Sequence, residues 1–221
     1  MLIIFDVDGT LIGGEEYDWK AFNDAFLDVT GRSIPTEFWT SLEEVTASAI
    51  VRHALSDLPV AEQMKLESRV RERCLENLKI ERSRNPKAFA SHVKTRALLR
   101  ELEEHPEFDV AIATGDWLET IQFKLAAAEI ELNRFVHATA SDTPIRADII
   151  HLAAQRSNRS LNEAVYIGDG RWDMRACRML GIPFIGTGQR VESLKADGAE
   201  WIVETLETNR LLPLVERLLT D

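Results

Sequence analysis

Short apolar runs alternate with longer amphipathic stretches along most of this 221-residue chain. The short runs are typical of buried strands, and the stretches between them carry apolar residues at helical spacing. Predicted strands cover residues 2–7, 110–113, 135–138, 164–167, 183–185 and 201–203, and predicted helices cover 92–104, 116–129, 144–156, 171–180 and 207–219. This order predicts an α/β protein with a Rossmann-like parallel sheet flanked by helices on both faces. Ligands of such sheets bind beyond the carboxyl ends of the strands, so functional residues should follow the strands directly.

One interval departs from this alternation because it shows helical spacing and no strand pattern. It begins after the glycine pair at positions 13 and 14 and ends near Pro86. We therefore predict an all-helical cap domain, residues 15–85, inserted into an α/β core domain made of residues 1–14 and 86–221.

The first predicted strand runs directly into two aspartates, Asp6 and Asp8, which precede a Gly-Thr pair. Alternate strand residues point to the same side, so the two carboxylates should repel each other unless a cation lies beside them. An EF-hand calcium loop also alternates aspartates, but it has glycine at its sixth position and glutamate at its twelfth. Here Gly9 comes too early and Tyr17 stands at the twelfth position. The pattern therefore predicts a magnesium site at the strand end, with one carboxylate left for chemistry.

The second predicted strand ends in Thr114 and Gly115. A hydroxyl and an unhindered backbone N–H group at this place suit the binding of phosphate oxygens. The alternative is a simple strand terminus followed by a helix cap. Asp116 and Glu119 fit a capping box, so we expect Asp116 to cap the next helix and leave Thr114 available.

A basic residue and a second pair of aspartates complete the candidate chemistry. Arg146 lies in the first turn of a predicted helix, where a cation opposes the helix dipole, so its placement indicates a nearby anion. A solvated surface arginine is the alternative. Asp169 follows the strand 164–167 within a Gly-Asp-Gly turn, and Asp173 comes four residues later. These two carboxylates could share a metal site or its surroundings.

Taken in order, the four motifs resemble those of the haloacid dehalogenase-like (HAD) superfamily of hydrolases. These are Asp-x-Asp-Gly-Thr, a strand ending in Thr, a basic residue opening a helix, and Gly-Asp-x-x-x-Asp. The resemblance covers residues 1–13 and 87–205, and the first and fourth motifs are the specific ones. A helical insert directly after the first motif is similar to the cap of the branch that includes phosphoglycolate phosphatase and β-phosphoglucomutase.

The resemblance implies a role for each motif residue. Asp6 would be the nucleophile that accepts the phosphoryl group as an aspartyl-phosphate, and Asp8 would be the general acid and then the general base. Mg²⁺ would be held by Asp6, the Asp8 backbone carbonyl and Asp169, with Asp173 supporting the site from its edge. The residues that would bind the phosphoryl oxygens are Thr114, Gly115 and Arg146.

The third motif departs from the usual pattern of the family. Its basic residue is more often Lys, and this chain has no lysine between Lys124 and Lys195. We expect Arg146 to replace it, in preference to Arg134 or Arg156, because Arg146 lies at a helix start. A guanidinium can bind phosphate in a bidentate way.

These features favour a Mg²⁺-dependent phosphatase that acts on a small phosphorylated metabolite. A phosphomutase of the same fold is the alternative, and no residue in the sequence identifies it. A 2-haloacid dehalogenase is disfavoured because those enzymes usually lack the second aspartate, and a complete set of charged motif residues disfavours a non-catalytic binding protein. Substrate specificity would depend on the cap, where the candidate residues are Asp18, Trp19, Phe22, Thr46 and Arg52.

Composition narrows the expected partners and location. The formal net charge of −11 argues against nucleic-acid binding, and no apolar stretch is long enough to span a membrane. The two cysteines, Cys74 and Cys177, lack a second Cys or His at metal-ligand spacing, so we expect reduced, buried thiols. With no signal peptide visible, we expect a cytoplasmic protein that is a monomer or a homodimer.

Overall fold

The structure is a computed structural model that describes residues 1–35, 38, 42–91 and 93–220. The strands are β1 (Leu2–Phe5), β2 (Asp109–Ala113), β3 (Val136–Ala138), β4 (Ala164–Gly168), β5 (Phe184–Gly186) and β6 (Trp201–Ile202). They form one six-stranded sheet in the order β3-β2-β1-β4-β5-β6, and every pairing in it is parallel. Each predicted strand overlaps one of these, and the predicted Rossmann-like α/β class is confirmed.

Nine α-helices lie within the described ranges. They are α1 (Glu15–Thr30), α2 (Ala47–Ala54), α3 (Val60–Arg84), α4 (Val93–Glu104), α5 (Leu118–Ala127), α6 (Arg146–Arg156), α7 (Arg171–Leu180), α8 (Val191–Ala196) and α9 (Thr208–Thr220). Helix α8 was not predicted because its six residues are too few to show a clear period. Within the same ranges, no helix combines the length and the apolar character that crossing a bilayer requires.

Both faces of the sheet are buried, which explains why its strands read as continuous apolar runs. On β1, Leu2 and Ile4 pack into the cluster that includes α6 and α7, whereas Ile3 and Phe5 pack with α4 and α5 on the other face. All four side chains are fully buried. Burying such a side chain contributes about 1.5–3 kcal/mol, so β1 is held firmly at the centre of the sheet.

The register of the central strands decides where the polar residues meet. Phe5 at the end of β1 is aligned with Ile112 of β2 and Ile167 of β4. The residues that follow these strands therefore emerge side by side at one edge of the sheet.

Helices α1, α2 and α3 occupy the interval between β1 and α4, where only helical patterns were expected. Helices α1 and α3 pack against each other, and α3 contributes Val70, Cys74 and Leu78, which recur at a spacing of four residues and are buried. Helix α1 begins after Gly14, and α3 ends at Arg84. The division of the chain into a cap domain and a core domain at these points stays a prediction.

Candidate active site

The carboxyl ends of β1, β2 and β4 open into a cavity of about 440 Å³ that residues of α1 and the start of α2 also line. The predicted motif residues that line this cavity are Asp6, Asp8, Thr114, Gly115, Arg146 and Asp169. Asp173 does not line it and is fully buried. The fold thus brings the four separate motifs to one place.

Asp6 is the first residue after β1 and is almost completely buried. The Val7 backbone N–H and the Thr114 hydroxyl act to lower the pKa of this carboxylate. The Arg146 guanidinium nitrogen lies 3.4 Å from one of its oxygens. Burial, followed by the charge of Asp173, raises the pKa of Asp6 to about 7 although Arg146 opposes the rise. The negative charge of Asp6 is therefore incompletely compensated by the protein, so a bound cation would stabilise it.

Asp6, Asp169 and Asp173 form a compact acidic cluster in which one oxygen of each lies within 4.8 Å of the others. Burial also raises the pKa of Asp169 and of Asp173, so the cluster concentrates negative charge that water does not stabilise. Oxygen ligands are those that Mg²⁺ prefers, so this set fits the ion. Asp173 accepts hydrogen bonds from the Gly170 N–H at 3.1 Å and the Tyr166 hydroxyl at 3.3 Å. It is therefore better placed to support the cluster than to bind a metal directly.

Two glycines allow the strand ends to approach each other closely. Gly9 has a positive φ of 74°, and a Cβ at this position would lie 2.3 Å from a carboxylate oxygen of Asp169. A Cβ on Gly115 would lie 2.3 Å from the Arg146 guanidinium and 3.0 Å from the Val45 carbonyl oxygen. A larger residue at either position would displace a charged group of the site.

Arg146 is the first residue of α6, and its side chain is buried among oxygen atoms. Its guanidinium lies 3.0 Å from Asp173 and donates a hydrogen bond of 2.9 Å to the Val45 carbonyl. Its backbone N–H donates to the Glu44 carboxylate at 2.9 Å. These anionic partners offset the unfavourable helix dipole, as the position of this arginine in the sequence indicated.

The two other arginines considered for the third motif face different partners. Arg134 lies 3.0 Å from Glu103, and Arg156 lies 2.6 Å from Asp142. Neither lines the cavity at the strand ends, so Arg146 is the one of the three that lies in it.

Lys124 on α5 is a charged group that the sequence reasoning missed. Its side chain is fully buried, and its ammonium nitrogen lies 2.8 Å and 2.7 Å from the two carboxylate oxygens of Asp8. The same nitrogen lies 2.7 Å from Asp18 and 2.6 Å from Asp116. Burial lowers the pKa of Lys124, but the three carboxylates outweigh burial and hold the pKa well above its ordinary value. Lys124 is therefore a buried cation.

A sequence signal for Lys124 did exist. It lies three residues after Ile121 and directly before Leu125, both fully buried on α5. A lysine on the apolar face of a helix needs buried anionic partners. Burial raises the pKa of Asp8 to about 6 and that of Asp18 to about 7, and Lys124 opposes both rises.

Asp116 does not have the capping role that its sequence context predicted. Helix α5 begins at Leu118, its N-cap is Trp117 without a side-chain bond, and the Leu118 N–H donates to the Ser141 hydroxyl at 3.0 Å. Asp116 instead accepts from the Trp117 N–H at 2.7 Å and pairs with Lys124. Attraction to a buried ammonium exceeds the roughly 1 kcal/mol that a helix cap contributes.

Four of the five cap residues proposed for specificity line the cavity: Asp18, Trp19, Phe22 and Thr46. Arg52 does not line it, because its guanidinium donates to Glu67 on α3 at 2.7 Å. Thr46 has a structural function as well, since its hydroxyl donates to the Pro144 carbonyl and accepts from the backbone N–H of Ala49.

The apolar pattern between residues 42 and 55 predicts one helix there, but α2 begins only at Ala47 because Thr46 caps it. Residues 39–41, just before this segment, lie outside the described ranges.

Arg190 is another cation that the sequence did not reveal, and unlike Lys124 it lines the cavity. Its guanidinium lies 2.7 Å from Glu15, pairs with Asp169 and lies over the ring of Trp172. Nothing in the local sequence around Arg190 indicates this arrangement, because both carboxylate partners come from other parts of the chain.

The parallel sheet has paired aspartates after its central strand, and an acidic cluster and two buried cations lie beside them. These features define an α/β enzyme with an acidic site at the strand ends. The sequence model of the haloacid dehalogenase-like hydrolase family matches residues 3–187. The chain therefore belongs to this family and is a hydrolase, as the motifs predicted. A search of curated proteins finds no match.

Solved structures of the same fold cover nearly the whole chain. A hydrolase from Pseudomonas syringae superposes with a TM-score of 0.75 and 20% identity, over 99% of this chain and 98% of its own. β-Phosphoglucomutase from Clostridium difficile gives a TM-score of 0.73 and 18% identity, over 99% and 96%. CbbY from Rhodobacter sphaeroides, in complex with phosphate, gives 0.72 and 20%, over 97% and 98%. At these identities the similarity establishes the fold.

Proposed function

We propose that this enzyme is a Mg²⁺-dependent phosphatase that hydrolyses a small phosphorylated metabolite through an aspartyl-phosphate on Asp6. The observation that carries the proposal is the meeting of Asp6 and Asp8 with Thr114 and Arg146 in one cavity. Membership of a hydrolase family supports the reaction class.

The two aspartates can divide the chemistry between them. The Asp6 carboxylate attacks phosphorus, the bond from phosphorus to the ester oxygen breaks, and Asp8 donates a proton to the leaving alcohol. Asp8 then accepts a proton from water, the water oxygen attacks phosphorus, and the bond to Asp6 breaks. The net reaction converts a phosphomonoester and water into an alcohol and inorganic phosphate.

An anionic nucleophile can approach an anionic phosphoryl group only where positive charge or hydrogen-bond donors surround both. Arg146 lies 3.4 Å from Asp6, and the Thr114 hydroxyl and the Gly115 N–H are the proposed neutral donors. Asp6, Asp169 and the Asp8 backbone carbonyl would hold Mg²⁺, which neutralises phosphoryl charge when bound.

Helices α1–α3 would act as a cap that excludes water from the reaction. The start of α2 contacts the core directly, because the Ala47 N–H donates to the Gly115 carbonyl at 2.7 Å. Val45 and Ser48 also bond to core residues, namely Arg146 and Trp117. A cap in contact with the phosphate-binding residues could hold the leaving group in line for reaction.

The charges of the cavity favour a substrate with one phosphate group. Among the described residues that line the cavity, the cations are Arg146 and Arg190, and each is already paired with carboxylates. The cap side presents apolar side chains such as Trp19 and Ile50. A phosphomutase remains the second candidate, since β-phosphoglucomutase shares the fold, but its bisphosphate intermediate would require a second set of phosphate ligands.

Purified enzyme should be assayed on p-nitrophenyl phosphate and on a panel of phosphorylated metabolites, with EDTA and with Mg²⁺ added back. We expect turnover that EDTA abolishes, that Mg²⁺ restores and that Asp6→Asn eliminates. Metal-independent turnover, or turnover that survives Asp6→Asn, would contradict the proposal. Isomerised sugar phosphate in place of inorganic phosphate would indicate the phosphomutase.

A further inference from the structure

The ammonium group of Lys124 contacts Asp8 more closely than any other charged group described in the structure does. It lies within hydrogen-bond distance of both Asp8 oxygens, at 2.8 Å and 2.7 Å. A carboxylate whose two oxygens bond to the same buried donor cannot rotate without breaking a charge-assisted hydrogen bond. The contact therefore restricts the orientation of the Asp8 side chain.

Asp116 and Asp18 complete the surroundings of this ammonium. The three N–H groups of the ammonium donate to the two Asp8 oxygens and to Asp18, and the Asp116 carboxylate forms an ion pair with the same nitrogen at 2.6 Å. Asp116 belongs to the loop after β2, and Asp18 belongs to α1. Lys124 is therefore held from both the α/β core and the helical insert, so its position is fixed independently of Asp8.

Lys124 is separated from the substrate space. Its side chain is fully buried, and it is not among the residues that line the cavity, whereas Asp8, Asp18 and Asp116 are. The carboxylates lie between the ammonium and the cavity. Any effect of Lys124 on the reaction must therefore be transmitted through these carboxylates, and Asp8 is the one proposed to transfer protons.

We propose that Lys124, held by Asp116 and Asp18, is a positioning residue that orients Asp8 for proton transfer to the leaving group and from the attacking water. The inference rests on the proposed phosphatase function. Nucleophilic attack by Asp6 and proton transfer by Asp8 would then depend on different cations. Arg146 lies beside Asp6, and Lys124 lies beside Asp8.

Two substrates distinguish this role from a general structural one. p-Nitrophenolate leaves without needing a proton, whereas an alkyl oxygen needs one, so only the alkyl ester requires Asp8 in the first step. Lys124→Met and the charge-retaining Lys124→Arg should be compared on p-nitrophenyl phosphate and an alkyl phosphomonoester by steady-state and rapid-mixing kinetics. Lys20→Met is the matched control, because Lys20 also pairs with two carboxylates but is exposed and outside the cavity.

With Lys124→Met we expect kcat on the alkyl ester to fall on the order of 10²-fold or more, and by at least about tenfold more than on p-nitrophenyl phosphate. p-Nitrophenyl phosphate should give a burst of about one nitrophenolate per enzyme and then slow turnover, because water activation becomes limiting. Lys124→Arg should recover part of the alkyl-ester rate, and Lys20→Met should match wild type.

Equal losses on both substrates without a burst, in folded protein, would overturn the positioning role. If Lys124→Met does not fold, Asp116→Asn serves instead, since it keeps the Lys124–Asp8 pair but removes one support, and it should show the same substrate dependence with a smaller loss. Wild-type enzyme without turnover on either substrate would contradict the proposed function and this inference together. If wild-type enzyme turns over both substrates and the variants lose the same fraction of kcat on each, the result would contradict this inference alone.

Discussion

Two buried cations give the two motif aspartates different surroundings. Arg146 lies 3.4 Å from Asp6 and 3.0 Å from Asp173, whereas Lys124 lies 2.7 Å from Asp8. Neighbouring carboxylates can take different roles when their environments differ, as is usual in acid–base catalysis. This separation is the residue-scale basis for proposing one nucleophile and one proton carrier.

Replacement of Asp6 by Asn should remove activity without unfolding the protein. The amide keeps the shape of the side chain but cannot form an aspartyl-phosphate, so we expect kcat on p-nitrophenyl phosphate to fall on the order of 10⁴-fold or more. Because burial and Asp173 disfavour the Asp6 charge, the Tm in metal-free buffer should equal or exceed that of wild type. Asp24→Asn, an exposed aspartate on α1, is the control. A fall of less than tenfold would contradict the nucleophile assignment.

Replacement of Lys124 by Met should strongly destabilise the fold. The change leaves the carboxylates of Asp8, Asp18 and Asp116 without their shared partner, so we expect the free energy of unfolding to drop by about 3–5 kcal/mol. Urea denaturation measures this drop. Lys195→Met is the control, because Lys195 pairs with Glu192 and both side chains are exposed, and it should lose only about 0–1 kcal/mol. Similar losses in the two variants would show that Lys124 does not neutralise this cluster.

At the scale of elements, the turns after the strands determine how closely the motifs approach each other. The loop after β1 reaches Asp169 after β4 only because position 9 has no side chain. The parallel register places these two loops at the same edge of the sheet. The acidic cluster is therefore a property of adjacent strand ends rather than of any one element.

Gly9→Ala should test this close approach. The new Cβ would lie 2.3 Å from an Asp169 oxygen at a φ of +74°, so we expect a stability loss of about 1–3 kcal/mol and a clearly higher Mg²⁺ concentration for half-maximal activity. Titration of turnover with Mg²⁺ measures the second effect. Gly31→Ala is a matched control, because its φ is +69° and a Cβ there meets nothing within 4 Å. An unchanged Mg²⁺ requirement in Gly9→Ala would argue against Asp169 as a metal ligand.

At the scale of the whole molecule, helix α2 contacts the loops after β2 and β3 through buried hydrogen bonds beside the cavity. The Ser48 hydroxyl accepts from the Trp117 indole N–H at 2.9 Å and donates to the Ala140 carbonyl at 3.0 Å. Ser48 and Trp117 are both fully buried. These bonds join α2 to the loops that follow β2 and β3.

Ser48→Ala should weaken this junction. The Trp117 indole N–H and the Ala140 carbonyl would lose their hydrogen-bond partner. We therefore expect the free energy of unfolding to fall by about 1–3 kcal/mol in urea denaturation. Ser83→Ala on α3 is the control, because the Ser83 hydroxyl is exposed and donates only to the Ile80 carbonyl of its own helix. The control should change stability by less than about 0.5 kcal/mol. Equal effects of the two substitutions would mean that the buried junction contributes little.

Much of the architecture could be predicted because it depends on local patterns. Buried parallel strands give continuous apolar runs, and all six such runs correspond to strands of the sheet. The motif residues Asp6, Thr114 and Asp169 could be placed together because each directly follows a strand, and adjacent parallel strands end at one edge. The start of α2 was misplaced because apolar spacing continues through the residues that precede its cap at Thr46.

The sequence by itself determined the fold class, the family and the edge of the sheet where the motifs meet, since each depends on residues close together along the chain. Only the tertiary structure showed that Lys124 reaches Asp8, 116 positions away, that Arg190 reaches Asp169, and that Arg52 binds Glu67 instead of the cavity. The physical reason is that the attraction between two opposite charges is strong only where both are buried next to each other. Burial of that kind depends on how helices pack across the whole molecule.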